Sequence, residues 1–204
     1  MSKVQNKYAL ISVSDKTNIE NISRSLVDLV YRILSTGVTA KYLTSMNIPN
    51  VSVSDFTKFE EILGGRVKTL HPKIHAGILA KSLKDLEDCS DVYELIDIVI
   101  VNLYPFEKTI SNSNCKYEDA IENIDIGGPA MLRAAAKNHN RVTVITDPND
   151  YPKVIDEIRK NNKTTISLRK YLAHKVFKQT SNYDAAIRNY LYQKNEKTDT
   201  IDDF

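Results

Sequence analysis

Five short runs of apolar, largely β-branched residues recur along the chain, and a stretch patterned for helix follows or precedes each one. The runs are Tyr8–Val13, Tyr31–Ser35, Val51–Val53, Ile98–Val101 and Val142–Thr146. Several are apolar without alternation, as expected of strands covered on both faces in a parallel sheet. Between them, Ile19, Ile22, Leu26 and Leu29 repeat at helical spacing, and helices are predicted at Leu83–Leu95, Tyr117–Asn123, Ala130–Asn138 and Tyr151–Lys160. This β-α-β-α order predicts an α/β fold with a mainly parallel sheet flanked by helices. After Thr165 no strand follows. Leu168, Leu172 and Val176, then Tyr183, Ile187 and Leu191, form helical stripes with a predicted break near Asn182. The expected organisation is an α/β domain over 1–165, a helical C-terminal extension over 166–192 and a polar tail over 193–204.

Lys and Arg number 28 and Asp and Glu 26, a balance that offers no general attraction to nucleic acid. No apolar run approaches the length of a membrane span or a signal segment. Cys89 and Cys115 match no metal or redox spacing and read as free thiols of a reducing, cytoplasmic compartment. His71 and His75 are four apart, but Pro72, Ile74 and Gly77 speak against a helix there and no carboxylate motif accompanies them. No metal is therefore expected.

In an open parallel sheet, ligands bind beyond the carboxyl ends of strands, so the strand exits carry the candidate chemistry. Ser12, Ser14, Asp15 and Lys16 leave the first strand; hydroxyls and an ammonium at a helix start suit a phosphate, although Ser14 or Asp15 would equally cap that helix. Ser35, Thr36, Gly37, Val38 and Thr39 leave the second, where a glycine between hydroxyls lets backbone approach an anion or simply turns the chain. Gly64-Gly65 precedes Arg66, Val67, Lys68 and Thr69; in extended chain Arg66 and Lys68 share one face, as an anion clamp or as a solvated basic loop. Asn102, Leu103 and Tyr104 end the most apolar strand. Asp125 and Ile126 precede Gly127-Gly128-Pro129, a helix start whose free amides face Asp125, with Arg133 and Lys137 one turn apart further along. No Walker A pattern occurs, so ATP hydrolysis is not expected.

Taken together, SVSDKT, STGxTA, LGGRVKTLHPKIHAGIL, NLYPF, DIGGPAMLRAAAKNH and YDAAIRNY resemble the IMP cyclohydrolase domain of the bifunctional AICAR transformylase/IMP cyclohydrolase, from about Tyr8 to Tyr192. All six glycines of the chain, at 37, 64, 65, 77, 127 and 128, fall inside these segments. The resemblance implies a methylglyoxal-synthase-like fold, a homodimer and a cofactor-free ring closure of formyl-AICAR (FAICAR) to IMP and water. It implies nucleotide contacts at Ser14, Asp15, Lys16, Thr36, Gly37, Thr39, Arg66–Thr69, Asn102, Leu103 and Ile126, and catalytic roles for Lys68, Tyr104, Asp125 and Lys137. Val38 stands where the family has a second glycine, and a positive φ there would strain it. No transformylase half is present in the 204 residues, so a transformylase assay is expected to be negative. Two other readings share the fold: methylglyoxal synthase, and a non-catalytic ligand-binding module like that of carbamoyl phosphate synthetase. The region after Thr165 and the RVKTLHP and DIGGPA segments argue against the first. The set Lys68, Tyr104, Asp125 and Lys137 argues against the second.

Overall fold

The computed structural model describes residues 6–87, 89 and 93–195. The elements run β1 (Lys7–Val13), α1 (Ile19–Asp28), β2 (Tyr31–Ser35), α2 (Gly37–Ser45), β3 (Val51–Ser52) and α3 (Val53–Thr57). Then come α4 (Pro72–Leu79), α5 (Lys84–Glu87), β4 (Ile96–Asn102), α6 (Phe106–Ile110), α7 (Tyr117–Glu122) and α8 (Gly127–Lys137). The chain finishes with β5 (Thr143–Ile145), α9 (Tyr151–Asn161) and α10 (Ile166–Asn195). All five predicted strands form. They make one parallel sheet in the order β3-β2-β1-β4-β5.

Burial explains why these runs become strands. Residues 8–11 of β1 and 98–101 of β4 are all buried, so both faces of the central strands are covered. The order places β1 and β4 side by side although a long stretch of chain separates them. Connections leave β1 toward β2 on one side and enter β4 on the other, so a topological switch point lies between their carboxyl ends.

Three expectations are corrected. The C-terminal stripes belong to one helix, α10, unbroken through Asn182. It contains no Gly or Pro, and Leu168, Leu172, Val176 and Thr180 bury one face along its length. Tertiary packing outweighs the weak helix propensity of Asn. Helix α10 lies against α8, β5 and α6. Of the predicted Leu83–Leu95 helix, Lys84–Glu87 is helical among the described residues and residues 93–95 are not; Leu86 packs with Ala80 and Leu95 in a small cluster of its own. Residues 88 and 90–92 of that span, and 196–204 of the tail, lie outside the described residues. Finally, the segment after His71 is helical. Pro72 occupies the first turn, where its missing N–H costs nothing, and His71 Nδ1 caps the helix by accepting the Lys73 amide at 3.1 Å.

Among the described residues, no helix is long and apolar enough to cross a membrane. Neither Cys89 nor Cys115 is in a disulfide. Scarce glycine has a structural consequence. Asn18, Val30, Asn47, Lys58, Leu63 and Asn162 all take left-handed backbone. Asn tolerates this locally; Val30, β-branched at φ 65° and 79% exposed, does not. Val30→Gly is expected to stabilise the fold by about 1 kcal/mol, after allowing for glycine's greater freedom in the unfolded chain. Thermal denaturation should show a midpoint roughly 2–4 °C higher.

Candidate active site

The switch point is closed by one side chain. Asn102, the last residue of β4, accepts the amides of Ser14 and Asp15 on its Oδ1 at 2.7 and 3.0 Å and returns a bond from Nδ2 to the Asp15 carbonyl at 3.1 Å. The Ser14 hydroxyl donates to the Leu103 carbonyl at 2.9 Å. These bonds fix the β1 exit to the β4 exit. Asp15 itself faces its own turn: the hydroxyl and amide of Thr17 hold its carboxyl below the usual range.

The β2 exit joins on the other side. Ser12 and Thr36 share a hydroxyl bond of 2.8 Å, and the Thr39 hydroxyl takes the Val13 amide and donates to the Val13 carbonyl. Lys16 folds over the same turn, with Nζ donating to the Val13 carbonyl and reaching Thr39. Burial lowers its pKa, which Asp15 partly opposes. Ser35 is fully buried and its hydroxyl is spent on the Ile11 carbonyl, so its side chain serves the sheet.

Thr36 precedes α2 without a side-chain cap bond, leaving the first amides of that helix open. Gly37 takes the positive φ of this turn, at 39°. Val38 is not among the positive-φ residues; it sits in the first turn of α2 and is exposed. The strain considered for Val38 therefore does not arise, because one glycine suffices.

The loop before α4 lies over this turn. A Cβ on Gly37 would stand 3.1 Å from Lys68 Nζ. Lys68 pairs with Glu61 at 2.5 Å and Arg66 with Glu122 at 3.0 Å, so each cation has its own carboxylate rather than crowding the other. Val67 is held by an isolated antiparallel bridge to Ile62. Thr69 is buried against the start of α8; a Cβ on Gly127 would meet its Oγ1 at 2.5 Å, so only glycine permits that approach. The His75 imidazole binds the Thr69 backbone, and burial keeps its pKa low.

Asp125 completes the arrangement. Its carboxylate accepts the Gly128 amide at 2.8 Å and the backbone N–H of Tyr104. Burial raises its pKa, against the lowering effect of these two bonds. Its own amide donates to the Tyr183 hydroxyl at 2.8 Å. Ile126 precedes α8 exposed and without a side-chain cap bond, and Tyr104 is exposed at the rim.

Lys137 is not brought to this group. It lies in the last turn of α8, ten residues and about 15 Å along the helix from Gly127, beyond the reach of a lysine side chain. A chemical role for Lys137 would need a second copy of the chain to bring it. Arg133, on the same helix, stacks over Phe177 of α10.

A cleft of about 1310 Å³ opens at the switch point. It meets the predicted residues at Ser14, Asp15, Asn102, Leu103 and Tyr104 and continues toward α10 past Thr146, Lys175 and Tyr183. Lys16, the α2 turn, the Arg66–Thr69 loop and Asp125–Gly127 lie outside its lining. Hydrogen bonds tie the α2 turn to the β1 exit and Asp125 to Tyr104, while the Arg66–Thr69 loop approaches only through Lys68 beside Gly37 and Thr69 beside Gly127. The α10 wall was not expected from the sequence. Its only signal there was the YDAAIRNY segment, which carries Tyr183. Among the described residues, no group of three or more His, Cys, Asp or Glu could hold a metal.

Comparison with known proteins agrees with the geometry. A model of the MGS-like domain matches residues 18–130, more than half of the chain. A model described as the AICARFT/IMPCHase bienzyme matches residues 135–203, which takes in α9 and α10. A solved structure described as the crystal structure of ForH is 32% identical, with a TM-score of 0.81, over 90% of this chain and 95% of that one. The chain thus belongs to the MGS-like domain family, and its last third carries the match to the AICARFT/IMPCHase bienzyme.

Proposed function

We propose that this protein is an IMP cyclohydrolase that closes the ring of FAICAR to give IMP and water. The observation that carries the reading is the Asp125 carboxylate. It is half-buried and bonded to the Gly128 and Tyr104 amides, at the end of a loop that faces strand exits rich in anion donors. A carboxylate so held is a base of raised pKa at a fixed position.

The open amides of α2, with Lys16, Thr36 and Thr39 beside them, suit the 5′-phosphate, and Arg66 reinforces the field. The reacting groups then lie toward Lys68, Tyr104 and Asp125. The carboxamide nitrogen adds to the formyl carbon, forming a C–N bond and a hydroxyl-bearing carbon. That hydroxyl leaves as water. One of the two protons lost comes from the carboxamide nitrogen and the other from the former formamide nitrogen. Both reacting groups belong to one molecule, so orientation supplies much of the acceleration. Asp125 takes the carboxamide proton. Lys68 and the Ile126 and Gly127 amides stabilise the developing oxyanion, and Lys68 or Tyr104 protonates the departing oxygen. Asp125 passes its proton on to the same oxygen, and the group that protonated it recovers a proton from the former formamide nitrogen, so both protons lost leave in the water. Lys137 stays outside this scheme within one subunit.

Incubation with FAICAR, followed through the purine absorbance, tests the reading. IMP formation is expected; intact nucleotide binding without turnover would overturn it in favour of a binding module. Because Asp125 must be ionised to act, and burial raises its pKa, kcat is expected to fall in acid, with a limb shifted upward from that of an ordinary aspartate. A kcat–pH profile reads this limb directly. We further propose a homodimer in a reducing cytoplasm, which sedimentation equilibrium checks as a mass of twice the chain.

A further inference from the structure

We infer that Tyr183, on the helix that follows the α/β sheet, is a positioning residue for the ring closure: its hydroxyl fixes the backbone that presents Asp125. The inference rests on the cyclohydrolase reading above and deepens it.

Asp125 sits in a short irregular link between α7 and α8, with no helix or strand of its own to hold it. Three contacts do so. The Gly128 amide and the Tyr104 amide hold the carboxylate, and the Tyr183 hydroxyl receives the Asp125 N–H at 2.8 Å. The first two come from the neighbouring active-site segments. The third crosses 58 residues of sequence from α10.

Tyr183 is itself held in place. Its ring meets that of Phe106 edge-on, with centroids 6.2 Å apart and planes at 71°. Phe106 is buried, opens α6, and lies two residues after Tyr104. It also packs edge-on against Tyr190, two helical turns further along α10 from Tyr183, with centroids at 5.6 Å. One aromatic cluster therefore anchors Tyr183 to the segment bearing Tyr104 while its hydroxyl anchors the segment bearing Asp125. Tyr183 links two of the groups assigned to proton transfer, Asp125 and Tyr104.

The same arrangement gives α10 a role. Residues 18–130 match the MGS-like domain, whereas α10 lies in the part that matches the AICARFT/IMPCHase bienzyme. The added helix does more than cover the sheet; it supplies an anchor for the candidate base. A misplacement of the base by an ångström can cost up to about 10²-fold in rate, with little effect on binding of the distant phosphate.

Tyr183→Phe keeps the ring and removes only the hydroxyl. In the full chain, kcat with FAICAR is expected to fall at least about tenfold with KM changed less than about twofold. Residue-resolved hydrogen exchange should show the Asp125 amide exchanging about tenfold faster or more in the variant, with the amides of β1 and β4 unchanged. A purely structural role would lower the melting temperature and leave kcat per folded molecule intact. An unchanged kcat overturns the inference, and so does a lower kcat without faster exchange at Asp125. In the wild-type chain that amide must be protected, so free exchange there overturns it without any variant. Failure of the wild-type chain to make IMP removes the cyclohydrolase reading and this inference with it. Wild-type turnover matched by Tyr183→Phe removes the inference alone.

Discussion

Asp125→Asn is expected to slow ring closure by about 10²- to 10⁴-fold while leaving IMP binding within a few-fold of the wild type. Asparagine is nearly isosteric. Its Oδ1 can still accept the Gly128 amide, now 2.8 Å from the carboxylate, so the start of α8 keeps its shape. What disappears is the capacity to take a proton. The Tyr104 backbone N–H also binds this carboxylate, and asparagine offers it only the one retained oxygen, because the amide nitrogen accepts nothing. Single-turnover kinetics with FAICAR separates loss of chemistry from loss of binding, and equilibrium titration with IMP gives the second quantity. Turnover within threefold of wild type would remove Asp125 from the chemistry. The acid limb of the wild-type kcat–pH profile should vanish in this variant, because the group whose ionisation sets it is gone.

Arg141→Met is expected to destabilise the fold by about 3–5 kcal/mol without touching the site. The Arg141 side chain is only 16% exposed and its guanidinium is fully engaged. Nε donates to the Ala80 carbonyl at 2.8 Å, and Nη2 to those of Gly77 and Ile78 at 2.7 and 3.0 Å. Nη1 donates to the Ile96 carbonyl at 3.1 Å and to Asp97 at 3.3 Å. One side chain thereby joins the end of α4, the start of β4 and the loop before β5. Methionine fills similar volume but removes all five donors at once; the Ile78 and Ala80 carbonyls keep the Asn138 amide and Asp97 keeps the Tyr8 amide, while the buried charge pair is broken. Denaturant titration should show the loss, with a melting midpoint lower by roughly 10 °C. The pH dependence has a definite sign. Burial already raises the Asp97 pKa against the pull of Arg141, and removing Arg141 raises it further. A group whose folded pKa is raised favours the folded state at low pH, and that advantage is lost as pH rises through the folded value. The variant's deficit should therefore be smaller in acid than at neutral pH.

Much of the candidate site was legible because its segments are local. SVSDK, the STG turn, NLYPF and DIGGPA each sit at a strand exit or helix start, where Ser, Thr, Gly and Pro are readable as backbone devices. Glu61 and Glu122 were not legible as partners of Lys68 and Arg66, since neither stands at a spacing that announces a pair. Lys137 was assigned to the site by the resemblance, within the DIGGPAMLRAAAKNH segment. A helix of eleven residues carries it to the far end of α8 from Gly127. Tyr183 looked like one more aromatic in a helical stripe, and its hydroxyl partner is 58 residues away.

By itself, the sequence determined the number and parallel character of the strands, several of the helices between them and the turns that expose amides at their ends. Those properties follow from periodicity and backbone preference, which act within a few residues. Only the tertiary structure decided that β4 lies beside β1, which lets Asn102 clamp the Ser14–Asp15 turn. It alone decided that α10 continues unbroken and brings Tyr183 to Asp125, and that Arg141 ties three segments together. Each of these depends on the path of the whole chain, because a hydrogen bond is chosen by distance in space, and the burial that fixes that distance is shared among elements far apart in sequence.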